Sequence, residues 1–218
     1  MPTSGFTAGI VDEYGMPAWI SGLASRDPNH TVHVIRGLRP TVALLLLGAR
    51  PNQVTPCELP AARPTDWTSL ARAAIGPTDS AAVLLSGRVG DWTFVYDDGG
   101  LTCYGPGFEP PARALSVAGG VAATSTVSLH GDTDLVYAVD GELKFFVTRE
   151  FDPARDGARI PAGLRDAVDA AGGTAGGDGA RGGERDGAIN MRILSNLANL
   201  RGTVDDLRGI QLWAAPLN

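Results

Sequence analysis

An imidazole flanked by two carboxylates occurs at His130-Gly-Asp132-Thr-Asp134, and this grouping holds the ingredients of an oriented general base. If the fold brought Tyr104 and Arg149 to the same place, His130 would move the proton and Arg149 would hold an anion. That would suit a small-molecule cyclase or isomerase of a biosynthetic pathway, with His130, Asp132, Arg149 and Tyr104 as its catalytic set. No nucleophile motif accompanies them, since Gly-x-Ser-x-Gly is absent and Cys103 carries no local signature of a reactive thiol. A polar turn with solvated carboxylates accounts for the same residues, and that is the reading the chain favours.

Three other groupings invite chemistry and are better explained without it. His30 and His33, with His130, Cys57 and Cys103 as further donors, suggest a metal site. On a strand, however, positions i and i+3 point to opposite faces, so the pair cannot easily converge on one ion and no metal is expected. Asp97 and Asp98 before Gly99-Gly100 could be paired carboxylates, but Asp-Gly is what a tight hairpin selects for its positive φ angles. The glycine-rich stretch from 172 to 187 has no Gly-Lys-Ser/Thr and does not follow a strand in a βαβ unit, which argues against a phosphate loop and against a nucleotide cofactor.

The elements that must position these residues follow from composition and periodicity. With 218 residues, 44% hydrophobic and 19% charged, the chain has the make-up of one globular domain spanning 1–218. The 18 basic residues, of which only Lys144 is lysine, are outnumbered by 24 acidic ones and form no run, which disfavours nucleic acid as a partner. The longest strongly apolar run, Val42 to Leu47, is far short of the ~20 residues that span a bilayer, and no membrane partner is expected. The opening residues lack a basic start followed by an apolar stretch, so a cytoplasmic location with reduced Cys57 and Cys103 is the expectation.

Alternation predicts a strand over His30–Arg36, with Val32 and Val34 on one face and His33 and Ile35 on the other. From Ala81 to Thr148 the period is two and predicts a β-meander: Val83 to Leu85, Trp92 to Tyr96, a returning Leu101 to Tyr104, Val121 to Leu129, Leu135 to Val139, and Glu142 to Thr148. Asp140-Gly141 between apolar runs is the most specific turn signal. Helices are expected near 41–47, buried; at 65–75 with Trp67 on the apolar face; at 161–170; and at 189–200, followed by a capping-type start at Thr203 and Asp206. Ala171 to Gly187, with eight glycines and no large apolar side chain, reads as a flexible insertion. The fold class implied is α+β, a mainly antiparallel β-meander sheet with helices packed on one face.

In order along the chain, Val34-Ile-Arg-Gly-Leu38, Gly90-Asp-Trp-Thr-Phe-Val-Tyr-Asp-Asp-Gly-Gly100, Leu115-Ser116, Val139-Asp-Gly-Glu-Leu143 and Leu200-Arg-Gly-Thr-Val-Asp-Asp-Leu207 resemble a family of small actinobacterial proteins catalogued only as a domain of unknown function. The resemblance spans roughly residues 18 to 217 and implies no established chemistry. It departs from the family pattern at Leu38-Arg39-Pro40, where an acidic helix cap is expected, and in the glycine-rich insertion. In outline such a domain looks like the immunity and interaction modules of bacterial conflict systems. The function expected is therefore a non-catalytic intracellular binding module, an immunity or regulatory protein that takes a protein partner or a small-molecule ligand. The small-molecule enzyme is the alternative, and the oligomeric state is left open.

Overall fold

His30–Arg36 forms strand β1 as expected, and the neighbours it takes decide the architecture. In a computed structural model, which describes residues 10–103, 109–130, 133–149, 151–172 and 186–218, β1 lies between two strands distant in sequence. The elements before and after it are α1 (Ala18–Leu23), α2 (Pro40–Leu46), β2 (Thr55–Cys57), α3 (Leu70–Ile75), β3 (Ala82–Val89) and β4 (Trp92–Asp97). There follow α4 (Pro111–Leu115), β5 (Val121–Val127), β6 (Leu135–Val139), β7 (Glu142–Val147), α5 (Pro153–Asp156), α6 (Ala162–Ala170), α7 (Asp186–Leu197), α8 (Val204–Arg208) and β8 (Leu212–Leu217). One antiparallel sheet of eight strands runs in the order β2-β8-β3-β4-β1-β5-β6-β7, so the protein is α+β.

Local chemistry explains most boundaries. Asp140 at φ 51° and Gly141 at φ 75° supply the two positive φ angles that a tight β6–β7 hairpin needs. Helix α3 starts where the Ser69 hydroxyl accepts the Arg72 amide at 3.0 Å, and α8 where the Thr203 amide donates to the Asp206 carboxylate at 2.7 Å. Pro40 and Pro111 occupy first-turn positions of α2 and α4, where a missing N–H costs nothing.

Alternation along the strands divides the interior in two. Val32, Val34, Phe94, Tyr96, Val83 and Leu85 face the larger core, where α1, α3, α6, α7 and α8 cover the sheet. Ile35, Val95, Leu84, Ala122 and Val136 face the other way, against Ala43 and Leu44 of α2 and Ala112 and Leu115 of α4. The expected covering of one face thus holds for the helices near 65–75, 161–170 and 189–200, while the helix near 41–47 crosses to the opposite face. A strand buried on both sides needs cover on both sides, and β1, β3 and β4 are such strands.

Several expectations change in detail. Leu101 to Cys103 form a turn and not a returning strand, because β4 already pairs with β1 on one edge and β3 on the other. Of the expected buried α2, Ala43 and Leu44 are buried whereas Leu45 and Leu46 are exposed. Helix α3 begins five residues later than the period suggested, leaving Trp67 70% exposed. At the borders of the glycine-rich stretch, Ala171 is buried in the larger core and Gly187 lies inside α7, where an added Cβ would stand 2.5 Å from Val127. The rest of that expected insertion, 173–185, lies outside the described residues.

Close packing at Gly87 gives a first prediction. A Cβ there would meet Leu212 and Phe94 at 2.8 Å each, both side chains held in the core. Gly87→Ala should therefore lower unfolding stability by ~1–3 kcal/mol, read as a drop in the urea midpoint at unchanged slope. An unchanged midpoint would show that this layer yields freely.

Candidate functional site

Between α2 and α4, on the side of the smaller core, the surface opens into a groove of about 620 Å³. Leu46, Leu47 and Gly48 form one wall, Pro110, Pro111, Ala114 and Val117 the other, and Leu101 and Gly141 close the ends. This volume lies within the ~300–1,000 Å³ of small-molecule sites, and the mostly apolar lining is typical of them. Leu46, Leu101 and Val117 are each nearly half exposed, which is unusual for three large apolar side chains sharing one depression. On the other side of α2, Leu45 lines a smaller hollow with Trp213 and Val54.

Among the described residues, only Thr102, Glu109 and Arg113 bring polar side chains to the groove. Glu109 and Arg113 are one helical turn apart and pair at 2.6 Å, and Arg113 Nε also donates to the Gly141 carbonyl at 3.3 Å. Thr102 is part of a buried chain. Its hydroxyl donates to Asp97 Oδ2 at 2.7 Å and lies 2.8 Å from His33 Nε2, while His33 Nδ1 lies 2.8 Å from the Thr124 hydroxyl. Asp97 also accepts the amides of Gly99, Gly100 and Thr102 at 3.0, 3.1 and 2.7 Å. With the Thr102 proton committed to that carboxylate, Nε2–H of His33 donates to Thr102, and Thr124 donates to Nδ1.

This order of donors leaves neither nitrogen of His33 free to take a proton. His33 is held down to about 3 by burial, and burial also raises Asp97 against the opposing hydrogen bonds from Thr102 and Gly99. Asp97 thus does the work of a turn, as the Asp-Gly pattern suggested. Asp98 does something the pattern did not suggest: it accepts from Ser69 Oγ at 2.7 Å and from Arg72 Nε at 3.1 Å, a buried ion pair joining α3 to the end of β4.

The residues singled out from sequence fall elsewhere. His130 is exposed just past β5, its amide donating to Ser128 Oγ at 3.2 Å. Arg149 follows β7, so the two stand at the same end of the sheet, two strand spacings or roughly 10 Å apart along it. The guanidinium of Arg149 is bound to Asp156 at 3.2 Å. Asp134 is buried, accepts the Thr126 amide at 2.8 Å, and is pushed up to about 6 by desolvation. Tyr104 and Asp132 lie outside the described residues. His30 and His33 occupy opposite faces of β1, and no group of three or more metal-donor side chains occurs among the described residues. No helix among them is long and apolar enough to cross a membrane.

The groove was hidden because its walls come from four separated segments. The one local hint is the leucine run 44–47, which is longer than one buried helical face requires. Comparison with protein-family models, with curated proteins and with solved structures finds no match.

Proposed function

We infer that the chain is a non-catalytic binding module, of immunity or regulatory type, that receives an apolar ligand or partner side chain in the groove between α2 and α4. The observation that carries this reading is the pairing state of the groove's polar groups. Thr102 is saturated from within, and Glu109 and Arg113 satisfy each other. What remains to interact is apolar surface, and removing it from water favours association by ~25 cal/mol per Å² before the costs of binding. An enzyme built on His130 would need Arg149 for its substrate, and that side chain is engaged by Asp156.

The test replaces two exposed walls of the groove. Leu46→Glu with Val117→Glu places charge on surface that already meets solvent, so the protein should unfold within ~0.5 kcal/mol of wild type per site. In cells lacking the native copy, this double variant should behave like the deletion, while His130→Ala should restore wild-type behaviour. The reverse pattern, a silent groove and an inactive His130 variant that still folds, would replace this reading with the enzyme.

A further inference from the structure

Between β2 and α3, residues 61–67 are exposed without a break, and Trp67 at 70% is the most exposed large apolar side chain among the described residues. This projecting loop is fixed at both ends. Arg208 Nη2 donates to the carbonyls of Pro60 and Ala61 at 2.8 and 3.1 Å, and the Arg26 amide donates to the Asp66 carbonyl at 2.8 Å. The Arg63 guanidinium donates to the Ala24 carbonyl, and the Thr65 and Thr68 hydroxyls stand 2.8 Å apart. A large ring held out by an ordered loop loses little conformational freedom on binding, which is the character of an interface anchor.

The same chain carries a receptor for such a group. The groove between α2 and α4 has a volume of about 620 Å³, no ring lines it among the described residues, and Leu46, Leu101 and Val117 leave apolar surface open there. The loop leads into α3 over the larger core, whereas the groove opens on the side of the smaller core, so Trp67 cannot reach the groove of its own chain. Both rims carry a balanced ion pair in contact with solvent. Arg26 and Asp66 pair at 3.1 Å beside Trp67, and Glu109 and Arg113 pair at 2.6 Å beside the groove. Setting Asp66 by Arg113 and Arg26 by Glu109 brings opposite signs together and strands neither pair.

We propose that Trp67 of one copy, with Pro64 of the same loop, docks into the groove of a second copy, so that the chain is its own partner. This rests on the reading of the groove as a binding surface and names its occupant. Because loop and groove lie on opposite sides of the sheet, the contact is head-to-tail. Each pairing leaves one Trp67 and one groove open, and further copies can add. One loop in one groove buries less than the ~1,200 Å² of stable complexes, so the contact is weak and depends on concentration.

Sedimentation velocity between about 10 μM and about 1 mM protein tests this. The average mass of the wild type should rise with concentration. It should stay at one chain for Trp67→Ala and for Leu46→Glu with Val117→Glu, and all three proteins should unfold at similar urea midpoints because the changed side chains already meet solvent. An equimolar mixture of the two variants joins an intact groove to an intact Trp67, and should form a species of two chains and nothing larger. A wild type that stays monomeric at the highest concentration, a Trp67→Ala variant that still associates, or a mixture that stays monomeric overturns the proposal. Association lost in the glutamate variant alone, with Trp67→Ala unaffected, keeps the groove as a binding surface and rejects Trp67 as its occupant.

Discussion

Arg72→Ala is expected to destabilise the protein by ~3–5 kcal/mol, among the largest effects of a single substitution away from the apolar core. The Asp98 side chain is 2% exposed and accepts from Ser69 Oγ, from Arg72 Nε and Nη2, and from the Val83 amide. Arg72, 26% exposed, also donates to the carbonyls of Ser80 and Ala81 at 2.9 and 3.2 Å. Truncating it strands a buried charge and leaves the approach to β3 without its clasp. Arg72→Lys should recover only part of the loss, because an ammonium cannot make the two parallel bonds of the guanidinium. Arg72→Met with Asp98→Leu should be more stable than Arg72→Ala, since removing both charges leaves neither uncompensated. Urea unfolding of the four proteins checks this, and a loss below ~1 kcal/mol for Arg72→Ala would show that the carboxylate reaches water.

Stability should also fall from neutral pH toward pH 4, and His30→Phe should remove most of that fall. His30 stacks on Tyr96 with ring centroids 5.9 Å apart, and neither ring nitrogen has a hydrogen-bond partner. Burial lowers it from 6.5 to about 4, with the nearby Pro28 carbonyl and the Asp27 carboxylate opposing. His33 is lowered to about 3 by burial. Below pH 6.5 the unfolded chain therefore takes up two protons that the folded chain refuses, and stability declines as pH falls. Asp134 acts in the opposite sense. Raised from 3.8 to about 6, it binds a proton in the folded chain first, so its contribution grows as pH falls from 6 toward 3.8. Asp97, also raised, adds to this opposition.

The balance between pH 6 and 4 is two protons against at least one, a net slope of at most ~1.4 kcal/mol per pH unit. His30→Phe deletes one titrating group, retains the ring against Tyr96 and leaves no donor or acceptor stranded. Its stability should be nearly flat over that range, and at pH 4.5 it should exceed wild type by ~2 kcal/mol. Equilibrium unfolding of both proteins between pH 7 and 4.5 measures this directly. Parallel curves would mean that His30 gains its proton without leaving the folded state.

What the chain determined by itself was whatever depends on neighbours in sequence. Asp140-Gly141 set the β6–β7 turn because positive φ angles are a property of two residues and need no distant partner. Thr203 and Asp206 set a helix start for the same reason, and alternation along His30–Arg36 separated His30 from His33. Tertiary structure decided everything that depends on which edges were still open. β1 pairs across about 60 residues with β4 and about 90 with β5, which denied β4 a third partner and made Leu101 and Thr102 part of the groove's lining. Leu212–Leu217, with Pro216 and little alternation, became β8 because β3 offered it a free edge. Leu45 and Leu46 read as core in a helix that is apolar on nearly every face, yet one helix can press only one face to a sheet. Arg149 was singled out from the sequence as an anion holder, and its observed partner is the chain's own Asp156. That Asp156 would gather Arg155 and Arg159 beside it was not legible, because convergence of side chains on a buried acid belongs to the folded loop and leaves no period in the sequence.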